Sequence, residues 1–216
     1  MNKFAFVMSL TCGRAPLVLL GCACSLVNFV APAPAWVVAA VVLLAFSALT
    51  DMFDGALARK WQVTSRIGAL ADPLMDKVFY LATLPTATFM ALLLAGAYEF
   101  TPEHPWILLL LDIVSLLRDQ WVSFLRSVGS EFHADVRATW SGKLRTIIGF
   151  PVIVFLHLYL GLEWLILNET IVCRHIPCAV PYVLEGLYLA ITVVSCVSYT
   201  LRYMPYLKQA SKHDHA

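Results

Sequence analysis

The sequence predicts an all-α integral membrane protein of six transmembrane helices, with both termini and a candidate active site on the cytoplasmic side. Three observations predict it. Of 216 residues, 60% are hydrophobic and 13% charged, whereas soluble domains carry about 25% charged residues. Six apolar runs follow one another between short polar breaks, each long enough for the about 20 residues that cross a hydrocarbon core of roughly 30 Å. The cations between the runs also sort to one side. The net charge of +1 says little about partners; no nucleic-acid partner is expected. Without internal repeats, residues 1–216 are expected to form a single domain.

Residues 1–9 are a mildly amphipathic lead-in carrying Lys3. The first span runs from Leu10 to Val30, and Ala31-Pro-Ala-Pro-Ala35 breaks it. Lys3, the apolar run and Ala-x-Ala together are similar to a secretory signal, and Leu19-Leu20-Gly21-Cys22 to a lipoprotein cleavage box. Arg14 inside the run, and a second span directly after it, argue against cleavage. That second span runs from Trp36 to about Arg59. After the turn Lys60–Arg66, a third covers Gly68 to Tyr98, longer than a crossing needs, so its first turns can lie at the interface. Pro73 is tolerable that early in a helix. The fourth runs from Trp106 to Val128, the fifth from Trp140 to Leu165, the sixth from Val180 to Tyr203, and Leu207–Ala216 is a tail.

Lys3, Arg59, Lys60, Arg66, Arg126, Arg137, Lys143, Arg145, Arg202, Lys208 and Lys212 fall on one side. The opposite loops hold Arg174 beside Glu99, Glu103, Glu163 and Glu169. The positive-inside rule puts the cationic side in the cytoplasm. Trp36, Trp106, Trp140 and Trp164, at span ends, are expected as interfacial anchors. Cys173 and Cys178, on the outer side, form either a disulfide or two free thiols.

Four of the 14 acidic residues stand within 51–76, between strongly apolar flanks. Ionised side chains there are costly, and Arg59, Arg66 and Lys77 are too few and too dispersed to compensate all four. Asp51 and Asp54 (i, i+3) share one helix face, and Asp72 and Asp76 (i, i+4) another. A chain reversal at Lys60–Arg66 would bring the faces together. Hard oxygen donors in that arrangement suit two ions of Mg²⁺ or Mn²⁺, which can polarise a phosphoryl group and activate an attacking oxygen. Carboxylates solvated at a membrane surface are the alternative for any one aspartate, and a poorer account of the set.

The string D-x2-D-G-x2-A-R-x8-G-x3-D-x3-D, from Asp51 to Asp76, resembles the signature of the CDP-alcohol phosphotransferase family at every fixed position. The resemblance implies an enzyme of phospholipid synthesis that transfers a phosphatidyl group from a CDP-linked lipid to an alcohol. It assigns Asp51, Asp54, Asp72 and Asp76 to the metals, with Asp76 also the general base. Gly55, Ala58, Arg59 and Gly68 would contact the CDP-lipid, as would Thr11 in the first span. The glycines allow close approach of a nucleotide to the backbone, and Arg59 has the geometry to grip a phosphate.

Arg118-Asp119 with Val122-Ser-Phe-Leu-Arg126, then Gly142-Lys143-Leu-Arg145-Thr146, resemble one branch of that family, the phosphatidylglycerophosphate synthases, as does Leu10-Thr11-x-x-Arg14. Met8 replaces a common Asn, and Leu117 a common Gly. Arg118 halfway along an apolar helix either pairs with Asp112 or Asp119 or faces a cavity. In the second case Arg118, Arg126, Lys143 and Arg145 form a basic pocket for an acceptor phosphate. The branch implies CDP-diacylglycerol and sn-glycerol 3-phosphate as substrates, a homodimer among membrane lipids, and the bacterial inner membrane. Phosphatidylglycerol (as in a cardiolipin synthase), inositol phosphate and serine are rival acceptors. Intramembrane prenyltransferases and divalent-cation transporters also use aspartates, but with motifs farther apart or nearer the bilayer middle. His157 is expected as a satisfied helix contact, and His213 and His215 as part of a solvated tail.

Overall fold

The computed structural model describes the backbone of residues 3–61, 66–97, 103–135, 137–172, 176–177 and 179–213; the side chains of 3–5, 7, 51–59, 66–73, 76 and 212–213 are outside the description. All secondary structure among the described residues is helical: α1 (Lys3–Val30), α2 (Pro34–Trp61), α3 (Arg66–Ala97), α4 (His104–Glu131), α5 (Trp140–Leu167) and α6 (Ala179–His213). Four segments are long and apolar enough to cross a membrane: Met8–Val30, Lys77–Ala97, Trp140–Leu167 and Ala179–Ser211. The described apolar part of α2, Pro34–Thr50, is shorter. α4 is as long as α5 but carries Asp112, Arg118, Asp119 and Arg126 along its length.

Local chemistry sets the boundaries. Pro32 ends α1, because a residue before proline avoids the helical region, and Pro34 opens α2, where a missing N–H is harmless. Asn28 pins this turn: its side-chain Oδ1 accepts from Ala33 N at 3.3 Å, while Nδ2 donates to Gly161 O on α5 at 3.2 Å. Thr139 caps α5, its hydroxyl accepting from Gly142 N at 3.2 Å.

Two ends differ from expectation. The lead-in is helical, with Phe6 against Trp61 of α2 at 6.0 Å between ring centroids. The tail continues α6 through Pro205 to His213. Tyr206 and Leu207 explain this, since both pack on a small core of Val122, Leu125, Tyr199 and Tyr203. Trp36, Trp106 and Trp140 are exposed, as anchors would be. Trp164 instead is partly buried and stacked on Phe29 at 4.6 Å.

α3 and α5 form the middle of the bundle: α3 packs on α1, α4 and α5, and α5 on α1, α2, α3 and α6. Tyr80, Leu84 and Leu94 of α3 meet Leu108, Leu156, Leu160 and Tyr188 in the principal core. His157 is a satisfied core contact: its Nδ1 is 2.8 Å from Ser25 Oγ, and its Nε2 is 3.1 Å from Thr83 O, so it donates to that carbonyl. It thus ties α5 to α1 and α3. The outer faces are apolar, with Val38, Phe46, Leu92, Leu117 and Val183 among the exposed side chains. Such a surface suits hydrocarbon, which is as apolar as leucine.

Candidate functional site

A cavity of about 960 Å³ opens among α2, α3, α4, α5 and α6. One end is cationic: Lys77, Arg118, Arg126, Lys143 and Arg145 line it, with Asp119 the single carboxylate among the described lining residues. The other end is apolar, with Ala45, Ala48 and Leu49 of α2 facing Ile147, Phe150, Pro151, Val154, Phe155 and Leu158 of α5. Leu49 and Ile147, which line this end, are exposed, so the apolar end is open.

Helical spacing gathers the cations. Arg118, Val122 and Arg126 recur at i, i+4 and i+8 and so share a face of α4. Arg145 extends from the second turn of α5. Asp119 takes both nitrogens of Arg145, Nη1 at 2.9 Å and Nη2 at 3.3 Å, and also Arg118 Nη1 at 2.8 Å. Arg118 Nη2 donates to Ser195 Oγ of α6. Arg145 lies over the ring of Tyr80, its Cζ 4.5 Å from the centroid, and near that of Tyr188 at 5.6 Å. A guanidinium only 3% exposed is supported here by one shared carboxylate and two aromatic faces.

The two alternatives for Arg118 are not exclusive: it pairs with Asp119, not Asp112, and it also lines the cavity. Asp112 is buried with Oδ1 unpartnered among the described residues. The Nε atoms of Arg118, Arg126 and Arg145 are likewise buried without an acceptor.

The structure brings Arg118, Arg126, Lys143 and Arg145 together around this one cavity. Thr11 is buried on α1. Asp51, Asp54, Gly55, Ala58 and Arg59 lie on the last turns of α2, and Gly68, Asp72 and Asp76 on the first turns of α3; their side chains are outside the described residues. Leu49, two residues before Asp51, and Lys77, next to Asp76, both line the cavity. Sequence reasoning missed Tyr80, Tyr188, Ser195 and Tyr199. The last three, with Thr192, recur along α6 at helical spacing, a polar stripe legible in an otherwise apolar segment.

The profile of the CDP-alcohol phosphatidyltransferase family matches residues 8–198. Three curated proteins called CDP-diacylglycerol–glycerol-3-phosphate 3-phosphatidyltransferase are similar. That of Pectobacterium atrosepticum is 35% identical over 107 residues, covering 49% of this chain and 52% of that protein. That of Yersinia pestis is 33% identical over 125 residues, 57% of this chain and 59% of the relative. That of Cereibacter sphaeroides is 32% identical over 126 residues, 58% and 52% respectively. The matched part of the chain thus spans little more than half the length of these relatives. No solved structure matches.

Proposed function

The chain belongs to the CDP-alcohol phosphatidyltransferase family, and from that premise we propose that it transfers the phosphatidyl group of CDP-diacylglycerol to sn-glycerol 3-phosphate. The products are phosphatidylglycerol phosphate and CMP. The observation that carries this reading is the two-ended cavity. Five cations at one end suit an acceptor that carries a phosphate dianion, whereas serine offers no such group. The apolar end, open beside Leu49 and Ile147, suits the acyl chains of a lipid donor.

In this reading the acceptor phosphate sits among Arg118, Arg126, Lys143 and Arg145, and its terminal hydroxyl points toward the acidic ends of α2 and α3. That hydroxyl attacks the phosphorus that bears diacylglycerol. The bond from this phosphorus to the oxygen bridging it to cytidine monophosphate breaks, CMP leaves with the electron pair, and the hydroxyl proton passes to the Asp76 carboxylate. Gly55, Ala58, Arg59 and Gly68, with Thr11, contact the CDP-lipid. Asp51, Asp54, Asp72 and Asp76 present only hard carboxylate oxygens, a donor set that fits two ions of Mg²⁺ or Mn²⁺. Such ions, when bound, supply charge neutralisation of the diphosphate.

The same reading gives one domain of six spans in the bacterial inner membrane, both termini cytoplasmic, working as a homodimer. Purified protein incubated with CDP-diacylglycerol and, in separate reactions, sn-glycerol 3-phosphate, phosphatidylglycerol, inositol phosphate or serine tests it. CMP release and a new phosphatidyl product are expected with sn-glycerol 3-phosphate. Transfer to another acceptor in its place would move the chain to a different branch of the family.

A further inference from the structure

Tyr199 stands on α6, one residue beyond the stretch that the family profile matches, and lines the cationic end of the cavity. Its phenol oxygen accepts from Arg126 Nη2 at 2.7 Å and from the backbone N–H of Thr139 at 3.1 Å. Two guanidiniums lie near its ring, Arg118 Cζ at 5.3 Å and Arg126 Cζ at 5.2 Å from the centroid. The ring stacks on Tyr203 with an interplanar angle of 5°. One buried side chain thus touches α4, the cap of α5 and the next turn of its own helix.

The two ways of holding an arginine at this cavity differ in charge. Arg118 and Arg145 are held by the carboxylate of Asp119, which cancels part of what they offer a ligand. Arg126 is held by a neutral phenol, which fixes the direction of the guanidinium and leaves its charge whole. Without such an acceptor, a long arginine side chain at this depth turns toward the interface. Gly142 makes the arrangement possible: a Cβ there would stand 2.8 Å from the phenol oxygen.

We infer that Tyr199 is a positioning residue for anion recognition, holding Arg126 against the first turn of α5 so that its uncancelled charge meets the acceptor phosphate beside Lys143. The inference rests on the acceptor reading above and deepens it. Tyr199→Phe removes one oxygen and keeps the ring, its stacking and its cation–π contacts. KM for sn-glycerol 3-phosphate should rise about tenfold, the scale of one hydrogen bond to a charged group. The kcat should stay within about twofold, and KM for CDP-diacylglycerol should not change. Gly142→Ala, which presses a methyl group on the phenol oxygen, should give the same split.

Because Tyr199 acts through Arg126, the double variant Tyr199→Phe/Arg126→Ala should be no worse than Arg126→Ala alone. An unchanged KM in Tyr199→Phe, or additive losses in the double variant, would overturn the assignment. A wild-type protein that transfers nothing to sn-glycerol 3-phosphate would overturn the underlying reading instead.

Discussion

Asp119 chelates Arg145 through both carboxylate oxygens, at 2.9 and 3.3 Å, and one of those oxygens also takes Arg118 at 2.8 Å. Two opposed effects follow from a carboxylate at a cation-lined cavity. It lowers the attraction for an anionic ligand, and it keeps two guanidiniums from driving each other apart. The second dominates here, because both nearly buried arginines bond the same oxygen, and without it they would face each other unpaired.

Asp119→Asn should therefore weaken acceptor use although it raises the positive charge. We expect kcat/KM for sn-glycerol 3-phosphate to fall by roughly 2 kcal/mol, about 30-fold, the cost of removing one partner of a buried charge pair. Asp119→Glu separates the two effects, since it keeps the charge and moves the carboxylate by one methylene. Steady-state kinetics should show both variants impaired; a tighter KM in Asp119→Asn would mean that net charge governs the site.

The acidic clusters on α2 and α3 make a second prediction. Asp72→Asn should abolish transfer while leaving the protein in the membrane fraction. Chelation should silence the wild type, and added Mg²⁺ or Mn²⁺ should restore it. CMP release reports both results. Full activity in Asp72→Asn, or in chelator, would remove these carboxylates from the reaction.

Much of this molecule was legible in the sequence, for definable physical reasons. Leu10–Val30 and Trp140–Leu165 are apolar runs bounded by prolines or by a capping threonine, so chain-local chemistry marks them. Arg118 is an ion halfway along an apolar run, which sequence exposes as an anomaly, while Arg126, Lys143 and Arg145 stood out through the motifs that resemble one branch of the family. Tyr199 and Ser195 carry a weaker signal: with Tyr188 and Thr192 they make a polar stripe at helical spacing, which marks a face of α6 but no role for either residue. A tyrosine or serine on an apolar helix is ordinary, and its importance arises only when α6 lies against α4. The extension of α6 past Tyr203 was hidden similarly: Pro205 and Lys208 look like a chain end until Tyr206 and Leu207 find the core formed by Val122 and Leu125.

The loop between α4 and α5 gives a prediction about pH. Arg202 Nη2 donates to Asp135 Oδ2 at 3.0 Å and to Asp135 O at 2.9 Å, and Tyr203 Oη donates to that carbonyl at 3.1 Å. The backbone N–H of Arg137 donates to Asp135 Oδ1 at 3.0 Å. That hydrogen bond, followed by the charges of Arg202 and Arg137, holds the Asp135 carboxyl below its usual 3.8. A depressed carboxyl contributes stability that is whole above the unfolded value and lost as pH falls through the folded one. Hydrogen exchange at residues 132–139 should be flat with pH between about 7 and 5, once corrected for intrinsic rates, and should rise only below about 4. Asp135→Asn should raise exchange across the whole range, and a transition near neutrality would point to another group.

Gly149 tests whether the aromatic faces beneath Arg145 matter as much as its carboxylate. A Cβ at this position would stand 2.7 Å from Tyr188 Cε2 and 2.9 Å from the Tyr80 hydroxyl, so alanine must displace at least one of the two rings. Both are fully buried within the principal core, which leaves little room to yield, and overpacking of this kind costs about 1–3 kcal/mol. Because those rings carry Arg145, the strain should be felt at the proposed acceptor site as well as in the fold. Gly149→Ala should lower the unfolding midpoint in detergent and raise KM for sn-glycerol 3-phosphate severalfold. Gly161→Ala is the control: its added methyl meets Val37 at 3.0 Å, on the α2 side and away from Arg145. It should reduce stability while leaving that KM unchanged. Equal KM effects in the two variants would show that any loosening of the bundle, and not the seat of Arg145, sets acceptor affinity.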